Sequence, residues 1–197
     1  MKIYRYNSDG QLIWTAQPSA VNGYDDTHDD LLNFNTGTGL YQYLNNTTGL
    51  INTTNYYAST NISTGAVQDY VQNRNVRQGQ SGSDILLRSF TYTQNIDSDG
   101  NAVYPVATDT SYPSDIDPTI TITTSYAYTW HTGTNVLASK TTTLPVISSG
   151  QNGSGTANTR TETYDTYGNL TQTTDELGAA LASLGRNQKE NYRRLRV

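Results

Sequence analysis

The chain has 197 residues, enough to bury a core, and a net charge of −5 with only 15% of its residues charged. It contains no cysteine, which excludes disulfide and thiolate chemistry, and its acidic balance provides no basic face for nucleic acid. Sixteen Tyr stand against two Phe and two Trp, in a background of Thr, Asn, Ser and Gly that disfavours long helices and predicts an all-β fold with long loops.

The first predicted unit runs from Ile3 to Trp14. Ile3 alternates with Arg5 and Tyr4 with Tyr6, as on a two-faced strand. Asn7-Ser8-Asp9-Gly10 is turn chemistry, and Leu12-Ile13-Trp14 returns as a second strand. Met1-Lys2-Ile3 leads into this strand instead of into the apolar region of a signal peptide. Residues 17–39 are looser, with Asp25, Asp26, His28, Asp29 and Asp30 close together. Calcium loops space their oxygen ligands around a sharp Gly turn, and these acids instead fall in adjacent pairs, so the segment reads as a solvated acidic loop.

Tyr41-Gln42-Tyr43 leads through Asn45 to Gly49 into Leu50-Ile51, and Tyr56-Tyr57 leads through Thr64-Gly65 into Ala66-Val67. Tyr70 to Gln78 gives way to Gly79-Gln80-Ser81-Gly82 and then to Ile85-Leu86-Leu87. Each reads as a strand, a polar Gly-containing turn and a second strand. The pattern recurs from Tyr92 to Val103 around Asp97-Ser98-Asp99-Gly100, and from Tyr128 through Gly133 to Leu137. Asn95 to Asn101 also resembles the first half of an EF-hand loop, but Val106 stands where the bidentate Glu would be needed, and a tight turn explains the same residues. Thr108 to Thr119 and Pro145 to Asn158 read as loops, and Ile120 to Thr123 as a strand running on into Tyr126.

The last unit is the clearest: Thr161-Glu162-Thr163-Tyr164, the turn Asp165 to Gly168, and a second run Asn169 to Thr174 closing on Asp175 and Gly178. The turn glycines Gly10, Gly49, Gly65, Gly82, Gly100, Gly133 and Gly168 are separated by about 17 residues or roughly twice that, the length of two strands and a turn. Residues 1–178 therefore read as a degenerate hairpin repeat. Residues 179–197 change character. Ala179, Ala180, Leu181, Ala182 and Leu184 favour a helical or frayed tail, which carries Arg186, Lys189, Arg193, Arg194 and Arg196 against Glu190 alone.

No catalytic constellation emerges. The two histidines, His28 and His131, stand in unrelated surroundings, and no Gly-x-Ser-x-Gly, GxGxxG or Walker A pattern is present. Ser81 reads as turn chemistry and His131 as packed against Trp130. No cofactor, no metal and no enzymatic role are expected. No run of about 18 apolar residues is present, so no membrane-spanning helix is expected.

Tyr164-Asp165-x-x-Gly168-x-Leu170 resembles the YD repeat of the RHS family, and Tyr6-Asn7-x-x-Gly10-x-Leu12 keeps it with Asn for Asp. Tyr4, Asp9, Tyr43, Gly49, Tyr57, Gly65, Tyr92, Asp99, Gly100, Tyr128 and Gly133 carry weaker copies across residues 3–178. The resemblance implies hairpins in an extended or spiralling antiparallel sheet that contributes to a shell, with a structural role in a secreted or cell-surface bacterial protein. The implied partners are the remainder of a larger parent chain, and a C-terminal toxin cargo or surface glycans. Asp117-Pro118 lacks the company of the family's self-cleaving region, and no toxin domain follows residue 178, so a fragment of a larger protein is expected. The alternative is a carbohydrate-binding or adhesive module, which would present Trp14, Trp130 and several Tyr on one exposed face. The shell reading pairs them between strands.

Overall fold

The computed structural model describes residues 1–174 together with the backbone of 180–182. The chain is all-β: β1 (Ile3–Tyr6), β2 (Leu12–Ala16), β3 (Phe34–Asn35), β4 (Leu40–Tyr41), β5 (Leu50–Tyr56), β6 (Val71–Gln78), β7 (Ile85–Tyr92), β8 (Asn95–Ile96), β9 (Ala102–Val103), β10 (Val106–Ser111), β11 (Ile122–Trp130), β12 (Leu137–Thr143), β13 (Thr159–Tyr164), β14 (Leu170–Thr174) and β15 (Ala180–Ala182). Only short 3-10 turns interrupt it among the described residues. The chain divides into two compact units.

The first unit comprises Met1–Asn61, Ala66–Phe90 and Thr110–Thr121. Its strands follow the order β1-β2-β5-β6-β7, each pair antiparallel. Period-2 alternation sends one side of β2 and β5 inward. Trp14 and Ala16 pair with Thr53 and Ile51, and the connection from β2 to β5 folds over them with Ala20, Leu32 and Leu44. Ile51 and Leu32 are fully buried, each contributing about 1.5–3 kcal/mol of transfer free energy. Arg5 roofs this core. Its guanidinium lies over the rings of Trp14 and Tyr41, and Nη2 bonds the Asp30 carboxylate at 2.6 Å.

The second unit comprises Ile62–Gly65, Thr91–Asp109 and Ile122–Val197, with strand order β10-β11-β12-β13-β14-β15 and the separate ribbon β8-β9. Its strands read Thr-x-Thr, which suits cross-strand hydroxyl pairs more than a deep core. Thr129 and Ser139 meet at 2.7 Å, and Thr141 and Thr161 at 3.2 Å.

Four expectations are corrected. Tyr41 does not open a hairpin to Leu50: β4 pairs with β3, while β5 pairs with β2 and β6. Ala66 and Val67 are not a strand, and only a bridge joins Asn61 to Ala66; the return strand for β5 is β6. Residues 108–111, read as loop, belong to β10. In the tail, Ala180–Ala182 is an extended strand against β14 and not helix, since the β14 edge offers backbone partners that outweigh Ala propensity. The rest of the tail, and the hairpin closure at Asp175 and Gly178, lie outside the described residues.

Candidate functional site

The feature the sequence repeats is a five-residue turn, and three copies are built alike. At Asn7–Gln11, Asp97–Asn101 and Asp165–Asn169 the first residue's backbone N–H donates to the fifth residue's carbonyl at 2.9, 3.0 and 2.9 Å. The glycine at the fourth position, Gly10, Gly100 or Gly168, donates back to the first carbonyl. Each glycine has φ between 77° and 86°, the left-handed conformation that a three-residue hairpin loop with a bulge demands. The side-chain oxygen of the first residue closes the loop. Asn7 Oδ1 accepts the N–H groups of Asp9 and Gln11, Asp97 Oδ1 those of Asp99 and Asn101, and Asp165 Oδ1 those of Tyr167 and Asn169.

The amide at the fifth position completes the set. Asn101 and Asn169 donate Nδ2 to the carboxylates of Asp97 and Asp165, and Gln11 Oε1 accepts from Asn7 Nδ2 at 2.7 Å. These bonds stabilise the ionised carboxylates. Asp97 is held below the usual carboxylate range mainly by the Asn101 backbone N–H and side-chain amide, and Asp165 by the Asn169 side chain and then its backbone N–H.

The flanking residues pair across the turn: Tyr6 with Leu12, Ile96 with Ala102, and Tyr164 with Leu170, each the position before the turn against the position after it. Tyr-Asp-x-x-Gly-x-Leu is therefore the sequence of one such turn with its first flanking pair. In the second copy the first position is Asp97. Asp99, like Asp9, occupies the third position and contributes its backbone N–H. The fifth-position amide, Gln11, Asn101 or Asn169, was not singled out from the sequence; an Asn or Gln four residues beyond an Asn or Asp, with Gly between, is the signal that identifies it.

The remaining repeat residues take varied roles. Tyr4 and Tyr6 are exposed on β1, and Tyr43 packs partly buried against the first unit's core. Gly49 (φ 78°) lies against the backbone of Ser19 and Ala20. Tyr57 donates its hydroxyl to Phe90 O at 2.8 Å, and buried Tyr92 donates its N–H to Gly65 O. Tyr128 donates its hydroxyl to Val106 O at 2.8 Å, and burial raises its phenol above the ordinary value. Gly133 accepts from the Ser98 N–H and hydroxyl, and Asn135 bridges Asp97 and Asn101, so the 97–101 turn and the β11-β12 turn interlock.

Trp130 stacks on Tyr128 (ring centroids 6.1 Å apart), not on His131, whose Nε2 lies 3.2 Å from Tyr164 O. Asp25 accepts from Thr27 and pairs with His28, whereas Asp30 turns to Arg5, so the acidic loop spreads its carboxylates among separate partners. Among the described residues no three His, Cys, Asp or Glu side chains could hold a metal ion together. Also among them, no helix is long and apolar enough to cross a membrane.

Neither a scan against protein-family models nor a search of curated proteins finds a match for this chain.

Proposed function

We propose that the chain is a non-catalytic structural segment of a large secreted or cell-surface protein of RHS/YD-repeat type, contributing hairpins to a shell-like scaffold. The remainder of the parent chain is its first partner, with an enclosed toxin cargo or surface glycans beyond it. The observation that carries this reading is the same turn, with the same bond pattern, at Asn7–Gln11, Asp97–Asn101 and Asp165–Asn169. A unit reused with its bonds intact is what a repeat scaffold requires, since each hairpin alone is too small to bury its own face.

Trp14 also favours the scaffold over an exposed aromatic platform. It lies in the core of the first unit, edge-on to Tyr41.

The test uses interchangeability. The double substitution Thr166→Ser and Tyr167→Asp turns the last loop into the sequence of the 97–101 loop. The far-UV circular dichroism and thermal midpoint are expected to stay unchanged. Loss of folding would overturn the repeat reading. A substrate turned over by the folded chain would overturn the non-catalytic one.

A further inference from the structure

We propose that a polar cleft in the first unit, walled by Asn22, Asn35, Gln42, Asn45 and Asn46 over a floor of Leu44, binds a neutral saccharide. Its volume is about 410 Å³, within the range of small-ligand sites and large enough for one or two sugar rings. No charged side chain lines it, so it offers nothing specific to a phosphate, a carboxylate or a cation.

Much of the cleft's backbone near Tyr41 and Asn45 is already paired. Gln80, itself buried, accepts from Tyr41 N–H with Oε1 and donates Nε2 to Tyr41 O, Leu44 O and Asn46 Oδ1. Asn45 donates its N–H to Ala20 O and accepts from Gln80 N–H, and Asn46 O accepts from Ser81 N–H. A peptide adding itself as a strand would therefore find no free backbone group on Tyr41 or Asn45. The Tyr41 ring is engaged by Trp14, Phe34 and Arg5, leaving no open aromatic face for a nucleobase.

What remains unpaired is a ring of side-chain amides. Among the described residues Asn22 has no side-chain partner. Asn35 Nδ2, Gln42 Nε2, Asn46 Nδ2 and Asn45 Oδ1 are also unused, while the opposite ends of those amides are pinned by Gly37 and Thr38, by Asn33, by Gln80 and by Ser19. Pinned amides present donors and an acceptor in fixed directions, which suits hydroxyls that both give and accept hydrogen bonds. Preorganisation lowers the cost of binding, and the openness and lack of a stacking ring keep affinity weak, about millimolar.

The experiment is a titration of the full ¹⁵N-labelled chain with maltotriose, cellotriose, tri-N-acetylchitotriose and, as the charged comparison, trigalacturonate, following side-chain amide resonances. Saturable shifts of the Asn22, Asn35 and Gln42 amides with at least one neutral sugar are expected. Asn22→Leu, which breaks no internal bond, is expected to weaken that binding about tenfold while leaving the rest of the spectrum in place. The proposal is overturned by silence of these amides with every neutral sugar, by a response to trigalacturonate alone, by shifts centred on Trp130, or by unchanged affinity in Asn22→Leu. Shifts centred on Trp130 would also favour the adhesive alternative over the scaffold, whereas the other outcomes leave the interchangeable turns, and so the test of the scaffold reading, untouched.

Discussion

At the turn's first position, Asn and Asp make the same two bonds to the N–H groups of the third and fifth residues, but only Asp makes them titratable. The folded-state value of the Asp97 and Asp165 carboxyls is depressed, so their stabilisation is present above the unfolded value of about 4 and is lost as pH falls through the lower folded value. Asp97→Asn and Asp165→Asn, which copy Asn7, should therefore keep the fold at pH 7. Together they should flatten the loss of stability in urea melts between neutral pH and pH 3; an acid sensitivity unchanged from the parent would refute the assignment. Glycine separates two effects in the same way. Gly10 has open space around an added Cβ, so Gly10→Ala meets only the left-handed backbone cost of about 1 kcal/mol. Gly49→Ala adds a collision with the backbone of Ser19 and Ala20 and is expected to cost more than about 2 kcal/mol by denaturant unfolding.

At the scale of elements, one side chain ties the connection between β2 and β5 to the turn between β6 and β7. Gln80 joins Tyr41, Leu44 and Asn46 from the turn between β6 and β7, so Gln80→Leu leaves the Tyr41 N–H and several carbonyls without that partner. A loss of about 2–4 kcal/mol is expected, with the Tyr41 amide among the first to exchange with deuterium. This explains what the sequence made legible. The hairpins at Tyr6–Leu12 and Tyr164–Leu170 were readable because strand, turn and strand lie within a dozen residues and Gly marks the reversal. So was β11-β12, whose turn is one residue longer. The pairing of β5 with β2 was not readable, because its partner lies across a connection of more than thirty residues whose own Tyr and Gly imitate a hairpin. Gln80 was hidden for the same reason: its partners lie 34 to 39 residues away, and a Gln between glycines looks like any polar turn. The amide cleft was illegible too, since Asn22, Asn35 and Gln42 converge only once that connection has folded.

Across the molecule, apolar burial is distributed unevenly. In the first unit Trp14, Ala16, Ala20, Leu32, Leu44 and Ile51 form one cluster, closed from above by the β2-β5 connection. In the second unit, among the described residues, Tyr92 is the buried apolar side chain, and β11 to β14 instead rely on backbone pairing and hydroxyl contacts such as Thr141 with Thr161. A hydroxyl pair of this kind contributes a few tenths of a kcal/mol to about 1, whereas a buried aliphatic side chain contributes several times that. Ile51→Ala should therefore cost about 2–5 kcal/mol, because its fully enclosed site between Ala16 and the overlying connection would be left as a cavity. Thr141→Ala, on a half-buried strand where neighbours and water can fill the gap, should cost less than about 1 kcal/mol. Hydrogen exchange resolved by residue distinguishes the two: β2 and β5 amides should be the slowest in the chain and β13 and β14 amides markedly faster. Equal protection in both sets, or a Thr141→Ala cost matching that of Ile51→Ala, would mean that apolar burial is not what ranks the two units.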